Sequence, residues 1–236
     1  MRSNDIPEMR SEENSEISGR LEKYFPIWDK LTSEERQLLV GSATERSVKA
    51  GTLLHNGSED CVGLFVICSG QLRAFVLSSE GKEVTIYRLF EQDICLFSAS
   101  CMLHDLQFDI SIEAEKDSQI VVIPPSVYKN LMDRSLAVSN YTNQVMASRL
   151  SEVMWLMEQI MWKSFDKRLA AFLLEESGLD GTDTLQITHD RIAAHLGTAR
   201  EVVTRMLRYF QSEGLVTLSR GTVELCDKKR LQELSE

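Results

Sequence analysis

Ile187-Thr-His-Asp-Arg-Ile-Ala-Ala-His-Leu-Gly197-Thr-Ala-Arg-Glu-Val-Val-Thr-Arg-Met-Leu-Arg-Tyr-Phe-Gln-Ser-Glu-Gly214 reads as two short helices joined by a tight turn. Thr188 suits the cap of a first helix whose apolar residues are Ile192, Ala193 and Leu196. Gly197 permits the left-handed turn such a pair requires. Thr198 with Glu201 three residues on has the pattern of a capping box, which predicts a second helix starting there. Gly214 suits the residue just beyond its end. At 100° per residue, Ala199, Val203, Met206, Leu207 and Phe210 fall in one arc, the expected core side. Arg200, Glu201, Thr204, Arg205 and Arg208 fall in the opposite arc. Arg can donate twice to guanine O6 and N7, and Glu can accept from cytosine N4, so this face has the chemistry of a major-groove reader. Val202, at the rim, could touch a thymine methyl.

A solvated amphipathic helix would show the same periodicity, so the flanking sequence has to decide. Leu215-Val-Thr-Leu-Ser-Arg-Gly-Thr-Val-Glu-Leu225 alternates as two strands around 219–222, a hairpin wing. Ser219 and Arg220 at its tip could meet phosphate. Helix, turn, helix and hairpin form a coherent DNA-binding module. Its candidate contacts are Thr198, Arg200, Glu201, Thr204, Arg205, Arg208, Ser219 and Arg220.

The charge of the whole chain has to be reconciled with that reading. The 236 residues carry a formal net charge of −10. Residues 1–164 hold 16 basic and 24 acidic side chains, and residues 165–236 hold 10 and 12, so the acid sits mostly in the N-terminal part. Within 186–221, Arg191, Arg200, Arg205, Arg208 and Arg220 oppose only Asp190, Glu201 and Glu213. A local excess of that kind can hold a duplex, with modest nonspecific affinity that falls with salt.

Upstream, 135–163 contains no Gly or Pro, and Ala147, Leu150, Met154, Met157 and Met161 recur at spacings of three and four. The pattern fits a helix packed on its own domain or a coiled-coil dimer seam. Val153, Trp155, Leu156, Ile160 and Trp162 widen the apolar surface beyond one stripe, which favours the seam. From Arg46 to Val122 short β-rich runs (Leu64–Cys68, Gln71–Leu77, Val84–Leu89, Ile110–Glu113, Ile120–Ile123) alternate with Gly51, Gly57, Gly70 and Gly81, as in antiparallel strands joined by tight turns. Thr32 or Ser33 before Glu35 suits a helix start. Residues 1–19, polar and acidic, read as a loosely ordered tail. The expected organisation is a tail over 1–19, a β domain over 20–134, a dimerisation helix over 135–163 and the DNA-binding domain over 164–236. No segment is long and apolar enough to span a bilayer, and the N-terminus has no apolar signal region, so a cytoplasmic protein without a membrane partner is expected. The five cysteines, odd in number and scattered, do not suggest a secreted disulfide framework.

With these motifs in order, the sequence resembles the Crp–Fnr superfamily over nearly all of 20–230. The C-terminal part of the resemblance rests on Ile192-Ala193, Leu196-Gly197, Arg200-Glu201, Thr204-Arg205, Leu207 and Gly214-Leu215-Val216. The N-terminal part rests on Gly51-Thr-Leu-Leu-His-Asn-Gly57, Cys68-Ser-Gly70, Glu80-Gly-Lys-Glu83 and Asp93. It implies an α+β chain: an N-terminal β-roll of the cyclic-nucleotide-binding jelly-roll type, a long dimerisation helix and a C-terminal winged helix-turn-helix. It further implies a homodimer on a near-palindromic double-stranded site, base reading by Arg200, Glu201 and Arg205 with Thr204 beside them, and RNA polymerase as a partner.

The β-roll departs from its nucleotide-binding relatives. Leu96 and Phe97 stand where those members place Gly-Glu for the ribose, and Phe108 and Asp109 stand where they place Arg-Ser for the phosphate. A carboxylate would repel a buried phosphate, so cyclic AMP is not expected as a ligand. Val153 and Met154 replace the polar side chains that meet adenine. Among iron–sulfur members a cysteine cluster lies near the N-terminus; here no cysteine precedes Cys61, which excludes that design. Haem and metal are not expected either, since lone histidines such as His55 and His104 are more often ordinary polar residues. What remains is Cys95-Leu-Phe-Ser-Ala-Ser-Cys101-Met-Leu-His104. It can be read as a redox thiol pair, a soft metal site, or two small buried hydrophobes. An apolar effector pocket of Cys95, Phe97, Cys101, Phe108, Val153 and Met154, with Met102 at its edge, fits equally.

The expected function is therefore sequence-specific DNA binding controlled by a small-molecule or redox effector at the β-roll. The competing reading is a sensory module of cyclic-nucleotide type acting on a protein partner rather than on DNA. Nothing points to an enzyme: there is no phosphate-cradling glycine loop, no nucleophile elbow and no paired metal ligands.

Overall fold

Thr32 and Glu35 close both halves of a capping box. Thr32 Oγ1 accepts from the Glu35 N–H at 3.3 Å, and the Glu35 carboxylate accepts from the Thr32 N–H at 2.8 Å. This starts α2 (Ser33–Ser42) at the expected place. The computed structural model describes the backbone of residues 5–57, 61–102 and 109–236, and the side chains of 14–57, 61–99 and 109–236. The chain divides into two units. One comprises Met1–Phe75 with Ile86–Ser151, the other Val76–Thr85 with Glu152–Glu236.

The first unit is a roll of two four-stranded sheets. β1 (Thr44–Val48), β8 (Ser118–Ile123), β3 (Leu64–Ser69) and β6 (Ile94–Cys95) form one sheet, in that order. β2 (Leu53–Asn56), β7 (Ser111–Ala114), β4 (Leu72–Leu77) and β5 (Glu83–Leu89) form the other. At the β3–β4 turn Gly70 has φ 89°, and a Cβ there would collide with the Ser118 side chain and the Asp117 carbonyl. Only glycine fits. Leu64, Val66, Val121 and Ile123 bury one face of their sheet against α1 (Asp5–Tyr24), α2 and α3 (Pro125–Arg134) through Leu21, Leu39 and Tyr128. On the other sheet Arg73 is fully buried, stacked 4.1 Å over the Phe75 ring and bonded to Glu113 at 3.0 Å. Arg88 bonds Glu115 at 2.9 Å.

Two sequence expectations change here. Residues 5–19 are not a loose tail but most of α1, since Ile17, Leu21 and Tyr24, spaced at four and three, enter the core. Their isolation among charged residues hid the helix. β1, Thr-Glu-Arg-Ser-Val, was absent from the strand reading because it is a polar edge strand paired only with β8.

α4 (Leu136–Trp162) is one continuous helix of 27 residues. At 1.5 Å per residue it is about 40 Å long. No described helix is long and apolar enough to cross a membrane. In the second unit α5 (Phe165–Asp180), α6 (His189–Leu196), α7 (Arg200–Ser212) and α8 (Lys228–Ser235) pack with a three-stranded sheet. Its strand order is β10 (Val216–Ser219), β11 (Thr222–Leu225), β9 (Thr184–Leu185). Leu169, Leu173, Ile192, Val203, Leu207, Phe210, Val223 and Leu231 share one core. The architecture is a β-roll of cyclic-nucleotide-binding type, a long helix and a winged helix-turn-helix.

Candidate nucleic-acid interface

α6 begins where Thr188 Oγ1 accepts the Arg191 N–H at 3.2 Å, and it ends at Gly197 in the left-handed region, φ 66°. α7 begins one residue later than the sequence suggested. Its cap is Ala199, whose side chain cannot accept a hydrogen bond, so the Thr198–Glu201 capping box does not form. Thr198 is half-buried just before the helix, and Ala199, placed by periodicity on the core side, is exposed. Helical phase means nothing before the first turn is wound. From Val203 onward the phase holds: Val203, Leu207 and Phe210 are buried and Met206 packs against them.

The opposite face of α7 presents Arg200, Glu201, Thr204, Arg205 and Arg208, which together line an open depression of about 440 Å³. Arg200 reaches Asp190 on α6 at 3.2 Å, an ion pair lying in solvent. Arg205 and Arg208 are exposed with no carboxylate within bonding distance among the described residues. Thr204 is held by two contacts, the carbonyl of Arg200 at 2.9 Å and Nδ1 of His189 at 2.8 Å. His189 had no role in the sequence reading. At the first position of α6 it lies outside the apolar periodicity, and only the crossing of the two helices brings it to Thr204. The His189 imidazolium is disfavoured, first by burial and then by Arg200 and Arg208, against the pull of Asp190, so its pKa lies below the ordinary value.

The wing stands where 215–225 predicted it, with Val216 opposite Leu225 and Ser219 opposite Thr222. Ser219 and Arg220 are exposed at its tip, and Gly221 turns the chain with φ 73°. Arg168 braces the module by donating to the Leu196 carbonyl at 3.2 Å.

The other expected sites divide. Ala147, Leu150, Met154, Met157 and Met161 are all exposed along α4, and Trp155, Ile160 and Trp162 widen that apolar strip. Of the effector-pocket residues, Cys95 and Phe97 are buried in the roll, Val153 is half-buried on α4 and Met154 is exposed. The side chains of Cys101 and Phe108 lie outside the described residues, as do those of Met102 and His104. The Phe97 ring packs 6.1 Å from that of Tyr87, and Arg149 of α4 lies 4.5 Å over Tyr87 while reaching Asp93 at 3.4 Å. Cys95, Cys68 and Cys226 are free thiols, whereas Cys61 is disulfide-bonded. Burial pushes the Cys95 thiol up and the Cys68 thiol up to about 11. No group of three or more His, Cys, Asp or Glu side chains among the described residues could hold a metal.

Comparison with known proteins agrees with this geometry. Residues 167–234 match the Crp-like helix-turn-helix domain family, and residues 45–135 match the cyclic nucleotide-binding domain family. The cyclic AMP receptor protein of Thermus thermophilus is 27% identical over 90% of this chain and 98% of its own length. The fumarate and nitrate reduction regulatory protein of Yersinia pestis is 24% identical over 81% and 78%. A solved structure of a Crp/Fnr-family transcriptional regulator from Eubacterium rectale is 55% identical. It superposes with a TM-score of 0.88 over 90% of this chain and 98% of that one. A β-roll of cyclic-nucleotide-binding type, a long helix and a Crp-like helix-turn-helix thus occur in one chain, which belongs to the Crp/Fnr family of DNA-binding transcription regulators.

Proposed function

We propose that this protein is a cytoplasmic homodimer that binds a near-palindromic duplex through α7 and the wing, under the control of an effector at its β-roll. The carrying observation is the two-sidedness of α7: Val203, Leu207 and Phe210 sit in the core while Arg205 and Arg208 stand free in solvent. Arg200, Glu201 and Arg205 read base edges, Thr204 and Arg208 flank them, and Thr198, Ser219 and Arg220 meet the backbone. The exposed strip Leu150, Met154, Met157 and Met161 supports dimerisation along α4, since apolar rows of that length are seldom left in water. Two related half-sites and RNA polymerase complete the expected partners.

The effector is a small apolar molecule or a redox signal rather than a cyclic nucleotide. Leu96 and Phe97 are buried apolar side chains. The buried arginines of the roll unit each meet a carboxylate, Arg73 with Glu113, Arg88 with Glu115 and Arg149 with Asp93. A phosphodiester would have to compete with those carboxylates for its cation. No metal, haem or iron–sulfur cluster and no enzymatic step enters this reading.

Selection of bound sequences from random duplexes at low salt tests it. The expected result is an enriched inverted repeat with half-sites about one helical turn apart. Failure to enrich any such repeat would turn the reading toward a sensory module that acts on a protein.

A further inference from the structure

His189 is the first residue of α6, half-buried, with Nδ1 2.8 Å from Thr204 Oγ1. The same hydroxyl lies 2.9 Å from the Arg200 carbonyl one turn back on α7 and donates to it. A hydroxyl has one proton. With that proton committed to a carbonyl, the hydrogen between Thr204 and His189 comes from the ring, and Nδ1–H donates to Oγ1. Neutral His189 is therefore the Nδ1–H tautomer, and its Nε2 is a bare acceptor. Nε2 can donate only when the ring is charged.

The groups around the ring set when that happens. Arg200 and Arg208 face it from α7 and Asp190 adjoins it on α6. Arg200, Thr204 and Arg208 also line the depression of the candidate interface. In the free protein partial burial and the two arginines outweigh Asp190, and the charged ring is disfavoured. Phosphate oxygens laid on this face reverse the balance. They accept hydrogen bonds, and their negative charge offsets that of the two guanidinium groups and favours an imidazolium.

We propose that His189 is a positioning residue of the reading helix, holding Thr204 and the first turn of α7 through Nδ1–H, and that duplex DNA drives its protonation at Nε2, so that binding tightens below neutral pH. This rests on α7 being the DNA-facing helix. The sign follows from linkage. A group whose pKa rises on binding takes up a proton in the complex. The added affinity is complete below the pKa of the free protein and absent above that of the complex. The free value lies below the ordinary imidazole value, so the gain appears as the pH falls below neutral. A rise of one pKa unit corresponds to at most about tenfold in affinity.

The test is the pH profile of DNA affinity for the wild type and His189→Asn, on a duplex recovered by selection. Asparagine offers an N–H where Nδ1–H stands and does not titrate in this range. The two proteins are expected to bind within about twofold of each other at pH 8, and the wild type to gain about three- to tenfold over the variant by pH 5.5. His189→Ala, which frees Thr204, is expected to bind several-fold more weakly at every pH. Ring-nitrogen NMR of the wild type gives a second readout that needs no foldable variant at position 189. The Nδ1–H tautomer is expected, with a titration midpoint that DNA moves upward. Parallel pH profiles for the wild type and His189→Asn, or a midpoint that DNA leaves unmoved, would overturn the inference. If the wild type binds no duplex at any pH, the reading of α7 is what fails, and the inference goes with it.

Discussion

The guanidinium of Arg200 lies 3.2 Å from the carboxylate of Asp190, with both side chains close to two-thirds exposed. The pair ties the first helix of the helix-turn-helix to the second in full contact with water. Exposed pairs of this kind stabilise by about 0.2–1 kcal/mol at most. Asp190→Asn is therefore expected to leave the melting temperature nearly unchanged. It also frees a cation and removes an anion at the DNA-facing surface. DNA affinity is expected to rise several-fold at low salt and the gain to shrink as salt is added, since an anion has been removed from the DNA-facing surface. Anisotropy titrations at several salt concentrations check this, and weaker binding by the variant would place Arg200 in a structural role.

Arg208 stands further along the same face of α7 and is exposed. As a backbone contact, Arg208→Ala is expected to weaken binding evenly across sequences and to reduce the salt slope by about one. A loss confined to one base position would instead make it a base reader.

The apolar strip of α4 predicts the oligomeric state. Leu150→Glu with Met157→Glu puts carboxylates on one seam of an otherwise unchanged helix. Light scattering is expected to give half the wild-type mass, with circular dichroism retained. An unchanged mass would mean that the strip does not hold the dimer together.

Burial raises the thiols of Cys68 and Cys95, that of Cys68 to about 11. A thiol reacts as its thiolate, so raising the pH from 7 to 9 leaves Cys68 overwhelmingly protonated. In native protein Cys226, which is exposed, is expected to be alkylated quickly, and Cys68 and Cys95 only after denaturation. Rapid labelling of Cys95 in the native protein would favour the redox reading of the β-roll over the apolar-effector one.

The extent to which the sequence disclosed this molecule follows from where each signal is local. Gly197 and Gly214 act through their own backbone and Thr188 through a hydroxyl that caps the N–H three residues on, and the helix-turn-helix was legible from them almost to the residue. The wing was legible because its strands alternate and its turn is Arg220-Gly221. α1 was missed because a few apolar residues scattered among polar and charged ones look like disorder until the β-roll provides the surface that Ile17, Leu21 and Tyr24 cover. The Thr198 cap was misread because a capping pattern states what a side chain can do, not where the chain starts to wind. His189 was invisible for a different reason: its partner is fifteen residues away and is set by the crossing of two helices.

The most direct test concerns Arg205, exposed on the reading face of α7. Arg205→Ala should fold, melt and assemble as the wild type does. Its affinity for the selected duplex is expected to fall about 10- to 100-fold, the loss of one bidentate base contact, while its affinity for unrelated DNA changes far less. If Arg205→Ala binds the selected duplex as tightly as the wild type, the assignment of α7 as the helix that reads DNA is wrong.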